Sequence, residues 1–269
     1  MSAVYLDHMG NDLSVVNDAR VSFSMESSAV GSTTVQLDDK TIHVPTLSKA
    51  DQGLINYLAR GCSSKDWNAA IETLLSSGID RTEAERIVQW ARRMPTHWTP
   101  FGHQILKFRM KAPVPIRTQC FKHKIGMVEN EESRRYIKST PEIFMPEYRS
   151  APEGSIKQGS GGPHPNADFW LEQYKAHTEA GVQLYLDQIE AGIAPEQARF
   201  SLPQGVYVNW VWTGSLYAYS EFFNKRSDRG HAQAEIADLA DLIGEQAKQL
   251  FPVSWAALTN TANHGESHE

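Results

Sequence analysis

Six basic side chains and no acid lie between His103 and Lys124: Lys107, Arg109, Lys111, Arg117, Lys122 and Lys124. In a chain of formal charge −6 such a run is a place for an anion to dock. The simpler reading of Lys107, Arg109 and Lys111 is a solvated strand face balanced by acids elsewhere in the fold. Lys122-His123-Lys124 differs, because three adjacent cationic or potentially cationic groups cannot share one helix face, so some turn inward or towards a ligand. Glu129-Asn130-Glu131-Glu132-Ser133-Arg134-Arg135-Tyr136 follows. If extended, it sets Glu131, Ser133 and Arg135 on one side; if helical, Glu131 and Arg135 meet at i,i+4. Either way a carboxylate, a guanidinium and a hydroxyl are gathered, which suits a ligand with a phosphate plus donors and acceptors, as a nucleotide has. The competing reading, favoured by charge pattern alone, is a helical salt bridge between Glu131 and Arg135.

The elements that must carry these groups are legible from periodicity. Val4-Tyr5-Leu6 predicts a short strand, and Asn11 caps a helix running towards Val21. Residues 24–47 are rich in Ser, Thr and Val and read as a loop or small hairpin. Apolar spacing from Leu47 to about Arg93 predicts two or three short helices, one starting near Asp80 with Thr82 and Glu85 as a capping box. Leu106, Phe108 and Met110 alternate with Lys107, Arg109 and Lys111, the period of a half-buried strand, although Ile105 breaks the phase. Pro113 and Pro115 end that strand, and a helix from Ile116 to Lys124 follows. Residues 151–166, rich in Gly and Pro, read as a long loop or lid. Trp170, Leu171, Tyr174, Val182, Tyr185 and Ile189 mark a strong helix. Val206 to Trp212 predicts a strand; Leu216–Asn224 and Ala232–Leu250 predict helices, and the tail from His264 looks frayed. The expectation is one α+β domain over residues 1–269, a mixed or antiparallel sheet flanked by helices, with a helical insertion near 62–95.

Totals exclude several classes. The hydrophobic fraction of 41% and charged fraction of 22% argue against disorder. The acidic balance argues against bulk binding to nucleic acid or an anionic membrane, and no apolar run approaches the ~18 residues of a membrane helix. Cys62 and Cys120 cannot build a disulfide framework, and the first residues show no secretory signal, so a cytoplasmic protein is expected.

Lys122-His123-Lys124 followed by Asn130-Glu131-Glu132-Ser133-Arg134-Arg135-Tyr136 resembles the signature of flavin-dependent thymidylate synthases: usually Arg-His-Arg, a short spacer, then Asn-Glu-x-Ser-x-Arg-Tyr. Residues 11–23 resemble that family's opening, and His97-Trp98-Thr99-Pro100-Phe101-Gly102-His103 its next block. Ala198-Arg199, Leu202-Pro203, Trp212-Thr213, residues 222–226 and the run from His231 to Ile236 follow in the family's order. The blocks span most of the chain, leaving about 24–47, 62–95 and 151–166 as insertions or variable loops.

The resemblance implies the thymidylate synthase-complementing protein fold and a reductive methylation. In it, dUMP takes a one-carbon unit from 5,10-methylenetetrahydrofolate and becomes dTMP, FAD reduced by NADPH supplies the hydride, and tetrahydrofolate leaves. It also implies a homotetramer whose active sites are shared between subunits. By matching positions, Arg226 is the catalytic residue, its guanidinium set against uracil O2 and N3. Gln119, Lys122, Glu131, Ser133, Arg135, Arg199 and Arg226 map onto dUMP-binding positions. Thr99, Lys122, His123, Lys124, Ser215, Glu221 and His231 fall where the family contacts FAD, and His97 near the reacting rings. Departures from the family are lysines for both arginines of the triplet, one extra residue before Asn130 and another before His231, Ser215 and Glu221 for common asparagines, and Tyr217 for an arginine.

Rival readings are also on the page. Cys120 beside Lys122, His123 and Lys124 could be an activated thiol of a cysteine-dependent thymidylate synthase, although that family's Pro-Cys-His context is missing. A nucleotide- or flavin-binding homologue without turnover is a second rival. No metal site is expected, because His97, His103 and His123 match no tight ligand spacing and the surroundings are basic.

Overall fold

In the computed structural model, residues 1–60, 64–91, 97–152, 159–229 and 232–259 are described. A strand, β1 (Ser2–Met9), outruns Val4-Tyr5-Leu6 at both ends. Gly10 turns it at φ +84°, a conformation that L side chains rarely adopt, and an added Cβ would also meet the Gln104 side chain. Helix α1 (Asp12–Arg20) begins as expected, the Asn11 side chain accepting from Ser14 N at 3.1 Å. Residues 24–47 do contain a hairpin: β2 (Gly31–Leu37) pairs antiparallel with β3 (Lys40–Thr46), turning at Asp38 with φ +51°.

Three helices follow, α2 (Lys49–Arg60), α3 (Ser64–Ser76) and α4 (Arg81–Ala91). Trp67, Ile71, Ala84 and Val88 bury a small core of their own between α3 and α4. The cap of α4 differs from the Thr82–Glu85 box: Asp80 accepts from Glu83 N at 3.0 Å. An aspartate one position before the first helical residue is a competent cap, and it pre-empts Thr82.

After α5 (Thr99–Gly102), strand β4 (Ile105–Pro113) alternates as predicted, burying Leu106, Phe108, Met110 and Ala112 while Lys107 and Arg109 face outward. Pro113 and Pro115 open α6 (Val114–Cys120), which stops before Lys124. Its last turn tightens into i→i+3 bonds, Lys122 N to Gln119 O and His123 N to Cys120 O, and Gly126 at φ +73° completes the turn into β5 (Met127–Glu131).

The remainder is α7 (Ala167–Glu190), α8 (Pro195–Ala198), β6 (Tyr207–Ser215), α9 (Leu216–Arg226), α10 (Ala234–Leu250) and α11 (Pro252–Thr259). Helix α11 was not expected from the sequence. Its opening amides Val253 N and Ser254 N donate to the buried Asp12 carboxylate at 2.8 and 2.9 Å, a cap supplied from the other end of the chain. Burial pushes Asp12 above the usual carboxylate range, and those two bonds oppose the shift.

Strands order β1-β4-β6-β5 in one sheet, and β2-β3 form the second. The fold is α+β. Contacts divide the chain into two compact units, one of Met1–Leu6, Lys107–Thr213 and Phe222–Ile243, the other of Asp7–Leu106, Gly214–Glu221 and Gly244–Glu269. The first buries Phe108, Met110, Trp210, Trp212, Tyr185 and Phe222; the second buries Val15, Ile55, Phe101, Phe251 and Trp255. Among the described residues no helix is long and apolar enough to cross a membrane.

Candidate active site

Within the first unit, residues from α6, from the segment after β5 and from the turn after α8 line one cavity of about 510 Å³. Arg117 comes from α6, Glu131 is the last residue of β5, and Arg199 follows α8. Between them, Ser133 to Tyr136 forms a turn closed by Tyr136 N to Ser133 O at 3.0 Å. Glu132 pins that turn to β6: its N–H donates to Asn209 O at 2.9 Å, and its carboxylate accepts from Asn209 N at 3.2 Å and Nδ2 at 3.0 Å. Ser133, Arg134 and Arg135 thereby stand on a strand edge rather than on a free loop.

Charge in the cavity is uneven. The Arg117 guanidinium lies 3.1 Å from Glu131 and stacks on Phe121. Burial pushes the Glu131 carboxyl above its ordinary range; Arg117 opposes that and Glu132 adds to it. The helical Glu131–Arg135 bridge is therefore not what forms. Arg135 instead donates through Nε to Ser133 Oγ at 3.1 Å and lies over the Tyr136 ring. Arg199 donates to the Glu196 carbonyl at 3.1 Å, and Arg134 to the Ser139 carbonyl at 2.5 Å. Arg134, Arg135 and Arg199 thus line one cavity, and none pairs with a carboxylate among the described residues. Guanidiniums so placed suit an oxyanion with two or more accessible oxygens.

A second cluster in the same unit surrounds Arg226. Its Nε donates to His123 Nε2 at 3.0 Å, and the imidazole packs edge-on against Phe222, which packs in turn on Trp212. Burial, then the charges of Arg226 and Lys225, push His123 down to about 4, so the ring is a neutral acceptor at physiological pH. Cys120 is buried, and burial pushes its thiol up to about 12 even with Arg226 nearby. A thiol so protonated is no nucleophile at neutral pH, which removes the cysteine-dependent reading.

A family model described as "Thymidylate synthase complementing protein" matches residues 5–253. The chain belongs to that family. A flavin-dependent thymidylate synthase of Thermotoga neapolitana is 28% identical over 261 residues, 97% of this chain and 92% of its own. One from Thermosipho africanus is 31% identical over 191 residues, 70% of this chain and 83% of its own. Among solved structures, the UMP/dUMP methylase PolB from Streptomyces cacaoi, bound with 5-Br dUMP, shares the fold at a TM-score of 0.70 and 23% identity, over 96% of this chain and 94% of that one.

The remaining residues of the thymidylate synthase complementing signature are placed as follows. Of the residues expected from the resemblance to bind dUMP, Glu131, Ser133, Arg135 and Arg199 line the cavity, whereas Gln119, Lys122 and Arg226 do not. Gln119 hydrogen-bonds Gln233. In the turn after α6, Lys122 is exposed and Lys124 pairs with Glu129 while lying over Phe121. In the second unit, exposed Thr99 opens α5, and Ser215 Oγ accepts from Ala218 N at 3.1 Å, capping α9. Glu221 is half-buried on α9; burial, and then its charge, push the Tyr217 hydroxyl upward. Tyr217 packs on Trp98, and His97 stacks on Tyr57. His231 lies outside the described residues, as does Cys62. Three residues were missed by sequence reasoning: Arg117, Glu132 and Arg134. The acid-free run from His103 to Lys124 contained a signal for Arg117; nothing in the pattern singled out Glu132 or Arg134.

Proposed function

We propose that this chain is an enzyme that makes dTMP, a flavin-dependent thymidylate synthase, as its relatives are named. dUMP takes one carbon from 5,10-methylenetetrahydrofolate, NADPH is the reductant, and tetrahydrofolate is released. The observation that carries this reading is the convergence of Arg135 and Arg199, distant in sequence and lacking carboxylate partners among the described residues, on one cavity with Ser133. That set receives the 5′-phosphate of dUMP. Ser133 Oγ already accepts from Arg135, with no base bonded to it among the described residues, so it serves as a ligand rather than as a nucleophile.

Arg226 activates the pyrimidine. A guanidinium against uracil O2 and N3 stabilises negative charge on the ring, favours N3 ionisation and raises electron density at C5, the carbon to be methylated. Its neutral partner His123 holds the guanidinium without offsetting its charge, as a paired aspartate would. No enzyme nucleophile is required.

By their place in the signature, exposed Lys122, with no carboxylate partner among the described residues, would offer a cation to the FAD pyrophosphate, and Thr99 and Ser215 would offer hydroxyls. When bound, FAD supplies the hydride, taken from NADPH. Lys124, also at a signature position, is paired with Glu129. His231 completes the set by its place in the signature, and His97 would lie near the reacting rings by its own. Glu221 is the member a flavin phosphate would not choose.

The working form is a homotetramer of single-domain chains in the cytoplasm, with active sites shared between subunits. Helix α7 supports this: of its 24 residues only Thr178 and Tyr185 are buried, and Phe169, Trp170 and Leu184 are exposed apolar surface seeking a partner. The test is anaerobic: protein with FAD is mixed with NADPH, with and without dUMP, and then given 5,10-methylenetetrahydrofolate. Bleaching of the flavin followed by dTMP is expected. A flavin that stays oxidised under both conditions contradicts the reading.

A further inference from the structure

We infer that Arg134, at an unassigned position of the signature, is a third phosphate-reading guanidinium and sets the preference of the cavity for a nucleoside monophosphate over the nucleoside; this rests on the dUMP reading of the site. In a strand, residues 134 and 135 would face opposite sides. The turn closed by Tyr136 N and Ser133 O makes them its two central residues, and both line the cavity with Arg199. Arg134 is tethered on one side only, through Nη1 to the Ser139 carbonyl, while its Nε is buried without a hydrogen-bond partner. A buried donor left unmade is costly, so the chain's own acceptors do not settle this guanidinium.

Charge points the same way. The cavity holds four guanidiniums, of Arg117, Arg134, Arg135 and Arg199, and two carboxylates, of Glu131 and Glu132, a balance of 4 − 2 = +2. Glu131 faces Arg117, and Glu132 is taken up by Asn209, so the surplus lies on the other three arginines. A phosphate monoester carries about −1.5 to −2 at pH 7, which that surplus matches. Without Arg134 the balance is +1 and the dianion is left under-neutralised.

The test compares the KM for dUMP and for deoxyuridine, which lacks the phosphate, in wild type, Arg134→Gln, Arg134→Lys and Arg199→Ala, using dTMP or thymidine formation. Arg134→Gln is expected to raise the dUMP KM at least tenfold, with kcat within about twofold and the deoxyuridine KM unchanged; Arg134→Lys is expected to recover part of the loss. Equal losses on both substrates assign Arg134 to folding and overturn the inference. So does a dUMP KM within twofold of wild type, and if Arg199→Ala weakens dUMP in the same series the fault lies with Arg134 alone. A wild type that turns over neither substrate overturns the functional reading, and this inference with it.

Discussion

Two arginine sites in this molecule are built from the same side chain and end differently. In the second unit Arg20 meets Asp51 at 2.8 Å, and that carboxylate also accepts from Ser27 Oγ at 2.8 Å and Ser48 Oγ at 2.7 Å. Burial pushes Asp51 upward, but the bonds from Ser48, Ser27 and Arg20 together with the Arg20 charge outweigh it and hold the carboxyl below its usual range. Charge is settled within the chain. In the cavity of the first unit, Arg134, Arg135 and Arg199 have backbone carbonyls or a hydroxyl as partners and no carboxylate among the described residues. A guanidinium answered by an acid of its own chain holds the fold, whereas one answered only by neutral acceptors keeps its charge for an anion from outside.

The largest expected effect is at Arg226, which belongs with the second kind because its hydrogen-bond partner is a neutral imidazole. Arg226→Ala should lower dTMP formation about a hundredfold or more, with the circular dichroism spectrum and bound flavin retained. Undiminished turnover would remove Arg226 from the chemistry. Next is Asp51→Ala, which strands Arg20 and should cost about 3 kcal/mol in urea unfolding while dUMP affinity stays within about twofold. The contribution of this carboxylate is present above the unfolded-state pKa and is lost as pH falls through the lower folded-state value. Arg199→Ala should do the reverse, weakening dUMP by roughly ten- to a hundredfold in calorimetry with little change in melting temperature. If Arg199→Ala melts the protein as Asp51→Ala does, the two sites are one kind and the comparison breaks.

Smaller effects sharpen it. His123 should titrate near pH 4 by NMR rather than near 6.5. Because its folded value is depressed, the unfolded chain takes up the proton first, so stability from this residue is full above about 6.5 and falls as pH drops towards 4. A midpoint near 6.5 would mean the ring is not held neutral by its burial and the charges of Arg226 and Lys225. Smallest is Cys120→Ala, expected to keep turnover and to cost about 1 kcal/mol of packing; loss of turnover with the fold intact would restore the cysteine reading.

Much of the fold was legible because the chain repeats simple periods: β4 alternates with basic residues on its open face, and α7 follows three- and four-residue steps. What escaped the sequence was long-range or local in geometry. Helix α11 takes its cap from Asp12 at the other end of the chain, and α6 was expected to continue to Lys124 because the tightening of its last turn has no marker before Gly126. At the site, Glu131, Ser133, Arg135 and Arg199 were chosen through the family signature. Arg134 was passed over because period-two reasoning sends it to the opposite face, and the turn that reverses it depends on Glu132 binding Asn209.

A crystal structure of the protein with dUMP is the most direct trial of the account. The phosphate oxygens are expected within hydrogen-bonding distance of Arg135, Arg199 and Ser133, with the uracil against Arg226. A nucleotide bound elsewhere, with those arginines turned to solvent, would contradict it.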